Sequence, residues 1–345
     1  MSLLYTEVED ELRAAVRDLL ADRSPAAAVL ARVETDEPYD LALWRTLAAD
    51  VGCAGLAVPE EHGGAGASWR EAAVVAEELG RSVAPVPFLG GGLATAALLA
   101  AGDTDLLPSV AAGKRAATLV LPLSTPPGAP LPESVRMDAG VLTGTVTSVA
   151  DAVVADVLVV PTTGGLYAVD AADATRTPVT SLDLTRPLCD VTFDAAPGRL
   201  LAGAERARQA WADALLTGAV LLASEQLGVA EWCLDTAVAH LKTRYQFGRP
   251  VGSFQALKHR LAALWVAVTQ ARAVARYAAG CLADGDPDVA VAASLAQAHC
   301  SEVAVSAAQE CVQLLGGTGF TWEHPAHLYL KRAKADAIAL GTPER

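Results

Sequence analysis

The chain has 345 residues, a length that predicts two or three domains, and 52% of them are hydrophobic while 19% are charged. That composition supplies enough apolar material for packed cores and excludes a disordered polypeptide. The 26 Lys and Arg residues are outnumbered by 40 Asp and Glu residues, and the net charge of −14 opposes binding to a nucleic-acid backbone.

Neither a membrane anchor nor an export signal is indicated by the sequence. The most apolar stretches, residues 74–79 and 214–222, fall well short of the roughly 20 residues that a spanning helix needs. The N-terminal residues are acidic and lack the basic and apolar regions of a signal peptide. We therefore expect a cytoplasmic protein.

The chain has six cysteines, and their spacing matches neither a Cys-x-x-Cys pair nor a Cys/His metal site. Most of them lie among alanine and valine residues in segments with a helical pattern. Buried free thiols, without disulfides or a metal, are expected at all six: Cys53, Cys189, Cys233, Cys281, Cys300 and Cys311.

The first part of the chain, residues 7–102, has the apolar periodicity of helices, which is clearest in residues 41–51 and 69–79. Between these two segments, residues 55–64 contain a proline and paired glycines, which predict a loop. We assign an N-terminal helical domain to residues 1–115.

The middle of the chain, residues 116–202, consists of short β-branched runs separated by Pro, Gly and Asp. Strands at this close spacing, with no helical period between them, predict a compact antiparallel sheet, sandwich or barrel. The predicted strands are residues 117–123, 140–149, 154–161, 165–169, 178–182 and 189–193.

The last part, residues 203–345, returns to long alanine-rich helical segments, at residues 204–244, 254–283, 287–315 and 325–339. Helices of this length and number pack as an antiparallel bundle. Their apolar residues occur on more than one side, which predicts burial between subunits. The predicted fold class is α+β, with an N-terminal helical domain, a central antiparallel β domain and a C-terminal four-helix bundle.

The densest group of informative residues is 242–255, Lys-Thr-Arg-Tyr-Gln-Phe-Gly-Arg-Pro-Val-Gly-Ser-Phe-Gln. A long helix is predicted to end at Phe247 and Gly248, and the next to begin near Ser253. Arg244 has no acidic residue one helical turn away, so its guanidinium is free to bind a phosphate in bidentate fashion. The alternative is a surface arginine that stabilises the last turn of a helix.

A second group, residues 313–322, reads Gln-Leu-Leu-Gly-Gly-Thr-Gly-Phe-Thr-Trp. A helix is predicted to end at the double glycine, where the missing side chains allow a ligand to approach the backbone. A simple helix C-cap is the alternative. No strand precedes the glycines and no lysine follows at the required place, which excludes a Rossmann or P-loop fingerprint.

With both groups present, the chain resembles the acyl-CoA dehydrogenase family over essentially its whole length. The Arg-x-x-Phe-Gly pattern of residues 244–248, with the later Gln-x-x-Gly-Gly of residues 313–317, is the most specific pair. Residues 328–333, Leu-Tyr-Leu-Lys-Arg-Ala, are also close, and residues 56–64 and 77–81 support the resemblance.

The resemblance implies a flavoprotein that binds FAD and oxidises an acyl-CoA thioester to its trans-2-enoyl form. In such enzymes a carboxylate removes the α-proton while the β-hydrogen passes to the flavin as a hydride. The family binds FAD partly through residues of a neighbouring subunit, so the resemblance also implies an oligomer.

At six positions that match the family's motifs, the resemblance implies contact with the FAD of the neighbouring subunit. Arg244 and Phe247 would contact its pyrophosphate and adenosine region, and Gln255 the same nucleotide. The residues at the adenine end would be Gln313, Gly316 and Gly317.

At both positions where the family supplies its catalytic carboxylate, this chain has a residue that cannot accept a proton. Leu340 stands before the Gly-Thr of the tail, and Gly218 occupies the alternative position on the first long helix of the bundle. A base within reach of the α-proton is needed for this chemistry. Glu225 and Glu344 are the candidates for a relocated base, with a structural or solvated glutamate as the alternative.

The predicted β domain also departs from the family. Residues 121–128 read Leu-Pro-Leu-Ser-Thr-Pro-Pro-Gly and residues 144–150 read Gly-Thr-Val-Thr-Ser-Val-Ala, without the acidic and aromatic members of the flavin-binding motifs. The motifs that would contact the FAD of a neighbouring subunit are thus present. The motifs that would bind this chain's own flavin and supply its own catalytic base are degraded. This combination resembles the helper subunit of actinobacterial heteromeric acyl-CoA dehydrogenases, whose α2β2 assemblies bind two flavins.

Three alternatives stay open. The chain could be a self-sufficient homo-oligomeric dehydrogenase whose base has moved, for example to Glu225. A flavin-dependent oxygenase on the same fold would need no α-proton base. A purely structural protein without flavin is the third, and the intact Arg244, Gln255 and Gln313 argue against it. The acyl group of the substrate, whether fatty, branched or a steroid side chain, is not fixed by the sequence.

Overall fold

The computed structural model describes residues 3–344, and these residues follow the predicted order of helices, strands and helices. The predicted α+β class is confirmed. The N-terminal helices are α1 (Glu7–Arg23), α2 (Ala26–Val33), α3 (Leu41–Arg45), α4 (Trp69–Ser82), α5 (Phe88–Ala101) and α6 (Leu107–Ala111).

Capping boxes fix where two of these helices begin. Thr6 accepts the Glu9 N–H through its hydroxyl, and the Glu9 carboxylate accepts the Thr6 N–H in return. Ser68 and Glu71 form the same reciprocal pair at the start of α4. Each box satisfies backbone donors that a helix leaves unpaired at its N-terminus.

Two predictions for this region are refined by the structure. The helix expected at residues 41–51 is α3 followed by one wider π-helical turn, Thr46–Asp50. The predicted loop of residues 55–64 contains only a short 3-10 turn, Glu60–His62. A side chain at Gly64 would place its Cβ 2.1 Å from the Val58 carbonyl oxygen, so the loop depends on a glycine there.

The described residues of the β region form two four-stranded sheets, ordered β1-β4-β5-β8 and β2-β3-β7-β6. One apolar core, with Phe193 and Leu158 at its centre, receives side chains from both sheets, which makes the region a sandwich. The strands are β1 (Ala117–Leu119), β2 (Val135–Asp138), β3 (Val141–Ala150), β4 (Val157–Thr162), β5 (Gly165–Asp170), β6 (Ala174–Val179), β7 (Leu188–Pro197) and β8 (Arg199–Gly203).

The prediction of an antiparallel β domain is correct except at one sheet edge. β1 pairs with β4 in parallel, with Ala117 opposite Val157. The strand predicted at residues 178–182 was misplaced, since β6 ends at Val179 and the following residues form a loop. β4 is buried on both faces because Val157 and Val159 pack on the helices while Leu158 and Val160 enter the sandwich.

The described C-terminal residues form the four predicted helices and a small hairpin. The helices are α7 (Ala204–Thr243), α8 (Gln255–Asp284), α9 (Val289–Leu314) and α10 (Ala326–Asp336), and the hairpin strands are β9 (Tyr245–Gln246) and β10 (Arg249–Pro250). Two boundary predictions were wrong. α7 ends at Thr243, before the hairpin, and the N-cap of α8 is Phe254 rather than Ser253.

α7 lies at the centre of the molecule. By length and composition alone it could cross a membrane, but 83% of its most apolar window is buried inside the fold. Its Gly228 would place a Cβ 1.9 Å from the Glu77 carbonyl oxygen of α4, and Gly80 of α4 would place one 2.0 Å from the Glu225 carbonyl oxygen. The two helix backbones are therefore in direct contact, and the N-terminal and C-terminal helices share one continuous core.

Large apolar side chains are left exposed on the outer helices of the bundle. Trp265 and Val266 of α8, and Val291 and Leu295 of α9, are all exposed in the single chain. Exposed apolar surface of this kind marks association sites, in agreement with the oligomer expected from the apolar faces of the predicted helices.

Candidate functional site

The residues predicted to reach FAD lie at one end of the bundle. The last turns of α7 and α9 are joined there by a small apolar cluster that contains Leu241 and Leu314, with Val251, Leu257 and Leu261 against it. This cluster supports both the segment after α7 and the segment after α9. All six predicted residues are solvent-exposed: Arg244, Phe247, Gln255, Gln313, Gly316 and Gly317.

The β9–β10 hairpin presents Arg244 and Phe247 to solvent. Phe247 and Gly248 have φ of +54° and +75°, as the two central residues of a type I′ turn require, and Phe247 is 89% exposed. Arg244 follows the end of α7, where its carbonyl accepts the Val251 N–H at 2.7 Å. Its guanidinium makes no hydrogen bond or ion pair with any residue from 3 to 344, so it is available for an anionic ligand.

The glycines after α9 are open to an approaching molecule. Gly316 has a φ of +62°, and a Cβ at Gly316 or Gly317 would meet nothing within 4 Å. The 3-10 turn Gly316–Phe320 then exposes Phe320, and Trp322 follows it, at 72% and 70% exposure. The two aromatic side chains were not among the predicted site residues, although aromatic residues beside a glycine-rich turn could have indicated them.

The two positions expected to hold a catalytic carboxylate lie against each other. A Cβ on Gly218 of α7 would be 3.0 Å from Leu340 Cδ1, and 2.4 Å from Leu93 Cδ2 of α5. Leu340 is fully buried. The site where a proton acceptor is expected is therefore filled by two leucine side chains.

Glu225, a candidate for a relocated base, is buried between two arginines. Its carboxylate accepts from Arg186 Nη2 at 2.6 and 2.5 Å and from Arg332 Nη1 at 2.5 Å. Burial acts to raise the pKa of Glu225, but the attraction of both guanidinium groups outweighs it and holds that pKa below its usual range. A carboxylate held in this way is a weak proton acceptor, which gives Glu225 a structural character.

The ion pairs of Glu225 belong to a larger buried cluster. Asp183 accepts from the Arg332 Nε–H and from the Thr185 hydroxyl, and Asp336 accepts from Arg186 Nη1 at 2.7 Å. The cluster joins the loop before β7 to α7 and α10. The pKa of Asp336 is raised to about 8, chiefly by burial and to a smaller extent by repulsion from Glu225.

This cluster could not be predicted from local sequence patterns. Glu225 lies 39 residues from Arg186 and 107 residues from Arg332 in the chain. Within α10 itself, the buried Arg332 and Asp336 lie among other charged residues, such as the exposed Lys334, so the local sequence does not set them apart.

The other candidate base, Glu344, is exposed in the C-terminal tail. No residue from 3 to 344 forms an ion pair with it. Its carboxylate is on the surface, whereas Leu340 of the same tail is buried.

Comparison with protein-family models assigns both helical regions. The model for the acyl-CoA dehydrogenase N-terminal domain matches residues 6–114, and the model for the acyl-CoA dehydrogenase C-terminal domain matches residues 209–345. Among curated proteins, "Acyl-CoA dehydrogenase IpdE2" of Mycobacterium tuberculosis is 40% identical over 343 residues, which are 98% of this chain and 94% of that protein.

Two similar solved structures are complexes of two different proteins. The ChsE4–ChsE5 complex of Mycobacterium tuberculosis matches with a TM-score of 0.88 and 28% identity, over 100% of this chain and 96% of that one. A variant of the Tcur3481–Tcur3483 steroid ACAD matches with a TM-score of 0.86 and 30% identity, over 98% and 95%. The likeness extends over the β region as well as the helices.

Proposed function

Because this chain belongs to the acyl-CoA dehydrogenase family, the flavoprotein oxidoreductases of lipid metabolism that act on CH–CH groups, we propose that it is the base-lacking partner subunit of a heteromeric enzyme. The complex would carry out FAD-dependent α,β-dehydrogenation of an acyl-CoA thioester. In it, a related subunit with an intact catalytic carboxylate would supply the base, and this chain would complete the flavin site of that subunit.

One observation carries the proposal: Gly218 and Leu340 meet at the place of the expected base. Neither residue can accept a proton, and a positioned base contributes about 10²–10⁴ to the rate of such a step. The pairing of Glu225 with two arginines and the surface position of Glu344 weigh against a relocated base.

The residues that would reach the partner's flavin fit that role. The exposed guanidinium of Arg244 has no partner among residues 3–344, which suits bidentate binding of the FAD pyrophosphate. The side-chain-free surface at Gly316 and Gly317 suits close packing of the adenine end. When bound, FAD would supply the hydride acceptor, while this chain's residues bind and orient its nucleotide part.

The comparisons support a heteromer and suggest a substrate class. Two of the similar structures are complexes of non-identical partners, and one of them is named a steroid ACAD. We therefore place steroid-derived acyl-CoA thioesters first in a substrate panel, ahead of fatty and branched acyl-CoA thioesters. A cytoplasmic location is part of the proposal and agrees with six buried cysteines that form no disulfide.

The proposal is tested by expressing the chain alone and together with a base-bearing relative from the same genome. Turnover of the substrate panel is measured with an artificial electron acceptor. We expect negligible activity for the chain alone and robust activity for the pair. Activity of the isolated chain that is lost in the Glu225→Gln variant would instead establish a homo-oligomeric enzyme with a relocated base.

A further inference from the structure

The C-terminal tail is attached to the bundle by one buried glutamine. Gln297 of α9, which is 7% exposed, directs its side-chain N–H groups at the carbonyl oxygens of three consecutive tail residues. The distances from its Nε2 are 3.1 Å to Ala339, 2.5 Å to Leu340 and 3.2 Å to Gly341. A side chain that meets three successive carbonyls fixes the path of the backbone and leaves it little freedom to shift.

The same tail is also bonded to the β region. The Leu340 N–H donates to the Leu123 carbonyl at 2.6 Å, and the Leu123 N–H donates to the Ser148 carbonyl of β3 at 3.0 Å. A continuous series of hydrogen bonds therefore runs from α9 through the tail to the sandwich. The tail lies between α7 and the segment after β1, a place that we call the interdomain crevice.

Side chains fill the space beneath the tail. Leu340 and Leu93 occupy the volume above Gly218, where even a methyl group would meet Leu93 Cδ2 at 2.4 Å. On the other side, a Cβ at Gly341 would be 2.9 Å from Pro126 Cβ, so the tail is in contact with the segment after β1. The tail therefore lies between Gly218 of the bundle on one side and Pro126 on the other.

The backbone at Leu340 is in an unfavourable conformation. Its φ is +52°, in the left-handed region that a leucine rarely adopts, and Gly341 follows with a φ of +102°. A strained residue of this kind persists only where its surroundings hold it. The Gln297 and Leu123 hydrogen bonds are the contacts that hold it.

We infer that residues 339–341 are a latch that closes this chain's own interdomain crevice, and that Gln297 is the residue that keeps the latch shut. The inference deepens the proposed function and rests on it, since the crevice is identified by its two expected base positions. The closed latch prevents a flavin ring or an acyl thioester from entering this chain, so that the complex has a working site only in the partner.

The test measures hydrogen exchange of the full-length chain in the peptides that contain Leu340 and Leu123. The Gln297→Glu variant keeps the side-chain size but turns a carboxylate toward three carbonyl oxygens. We expect exchange at both peptides to become at least tenfold faster. Gln309→Glu, on the exposed side of the same helix, is the matched control and should leave both rates unchanged.

Folding of the variants is monitored by circular dichroism. If Gln297→Glu fails to fold, Gln297→Met removes the donors without adding a charge and is expected to accelerate exchange at the same peptides. Rates within twofold of wild type in a folded Gln297 variant would overturn the latch.

A second measurement needs no variant, because FAD alone is added in excess to the isolated wild-type chain. We expect no binding and unchanged protection of the Leu340 peptide. Stoichiometric FAD binding with that peptide exposed would refute the closed crevice. Assembly with a base-bearing relative is measured separately by co-purification and turnover. A result that contradicts the closed latch can therefore be distinguished from one that contradicts the role as a partner subunit.

Discussion

Replacing Glu225 by glutamine distinguishes a structural carboxylate from a catalytic one. Glu225 is only 4% exposed and accepts all of its charge-assisted hydrogen bonds from Arg186 and Arg332. Removing one partner from a buried ionic cluster typically costs about 3–5 kcal/mol, because the remaining charges stay buried without compensation. Asp183 and Asp336 still contact the arginines, but they are already engaged in the wild-type chain.

The expected result of Glu225→Gln is a loss of about 3–5 kcal/mol in the free energy of unfolding. Turnover per folded pair should stay within a few-fold of wild type, since Glu225 lies about 10 Å along α7 from Gly218. Unfolding in urea gives the first quantity for the full chain, and turnover of the co-expressed pair gives the second. Glu205→Gln, at an exposed position of the same helix, is the control.

The opposite pattern would refute this reasoning. If Glu225→Gln changes the unfolding free energy by less than 1 kcal/mol and lowers turnover by the 10²–10⁴ expected for a lost base, the carboxylate is catalytic.

Three further predictions concern pH, flavin and assembly. Because burial and Glu225 raise the pKa of Asp336 to about 8, the folded chain retains a proton that the unfolded chain releases near pH 4, and stability should fall as pH rises from 4 to 8. Denaturation at several pH values should show this slope, at most about 1.4 kcal/mol per pH unit, flattened in Asp336→Asn. Arg244→Ala should weaken FAD binding to the purified pair by about 1.5–3 kcal/mol while the fold persists, and fluorescence titration with FAD checks it. Light scattering should find no stable monomer when the partner is present at micromolar concentration, since a monomer would leave the apolar faces of α8 and α9 exposed.

The order of helical and β regions was predictable because it depends on local patterns. β4 is a continuous apolar run, and the structure places its two faces in two different cores. Its parallel pairing with β1 was not predictable, since a short apolar strand does not specify the direction of its partner. The burial of α7 was not predictable either, because it depends on packing against helices that are distant in the chain.

The candidate site was predictable only in part. The sequence pattern predicted that Gly248 ends a helix, but in the structure it lies in the turn of a hairpin. Both structures favour a glycine with a left-handed backbone conformation, so the residue type alone does not distinguish them. The resemblance identified Gly218 and Leu340 as the two expected base positions, but their proximity is a finding of the structure, because no local pattern relates positions this far apart. The role of Glu225 depends on arginines that are distant in the chain, and only the folded structure brings them together.

Counting the flavins in the purified two-subunit complex tests the proposed partner role most directly. FAD released from a known quantity of complex is measured by its absorbance, with both subunits quantified in the same sample. We predict one FAD per pair of subunits, and little or none on this chain when it is purified alone. Two FAD molecules per pair, or a flavin-loaded isolated chain, would contradict the account.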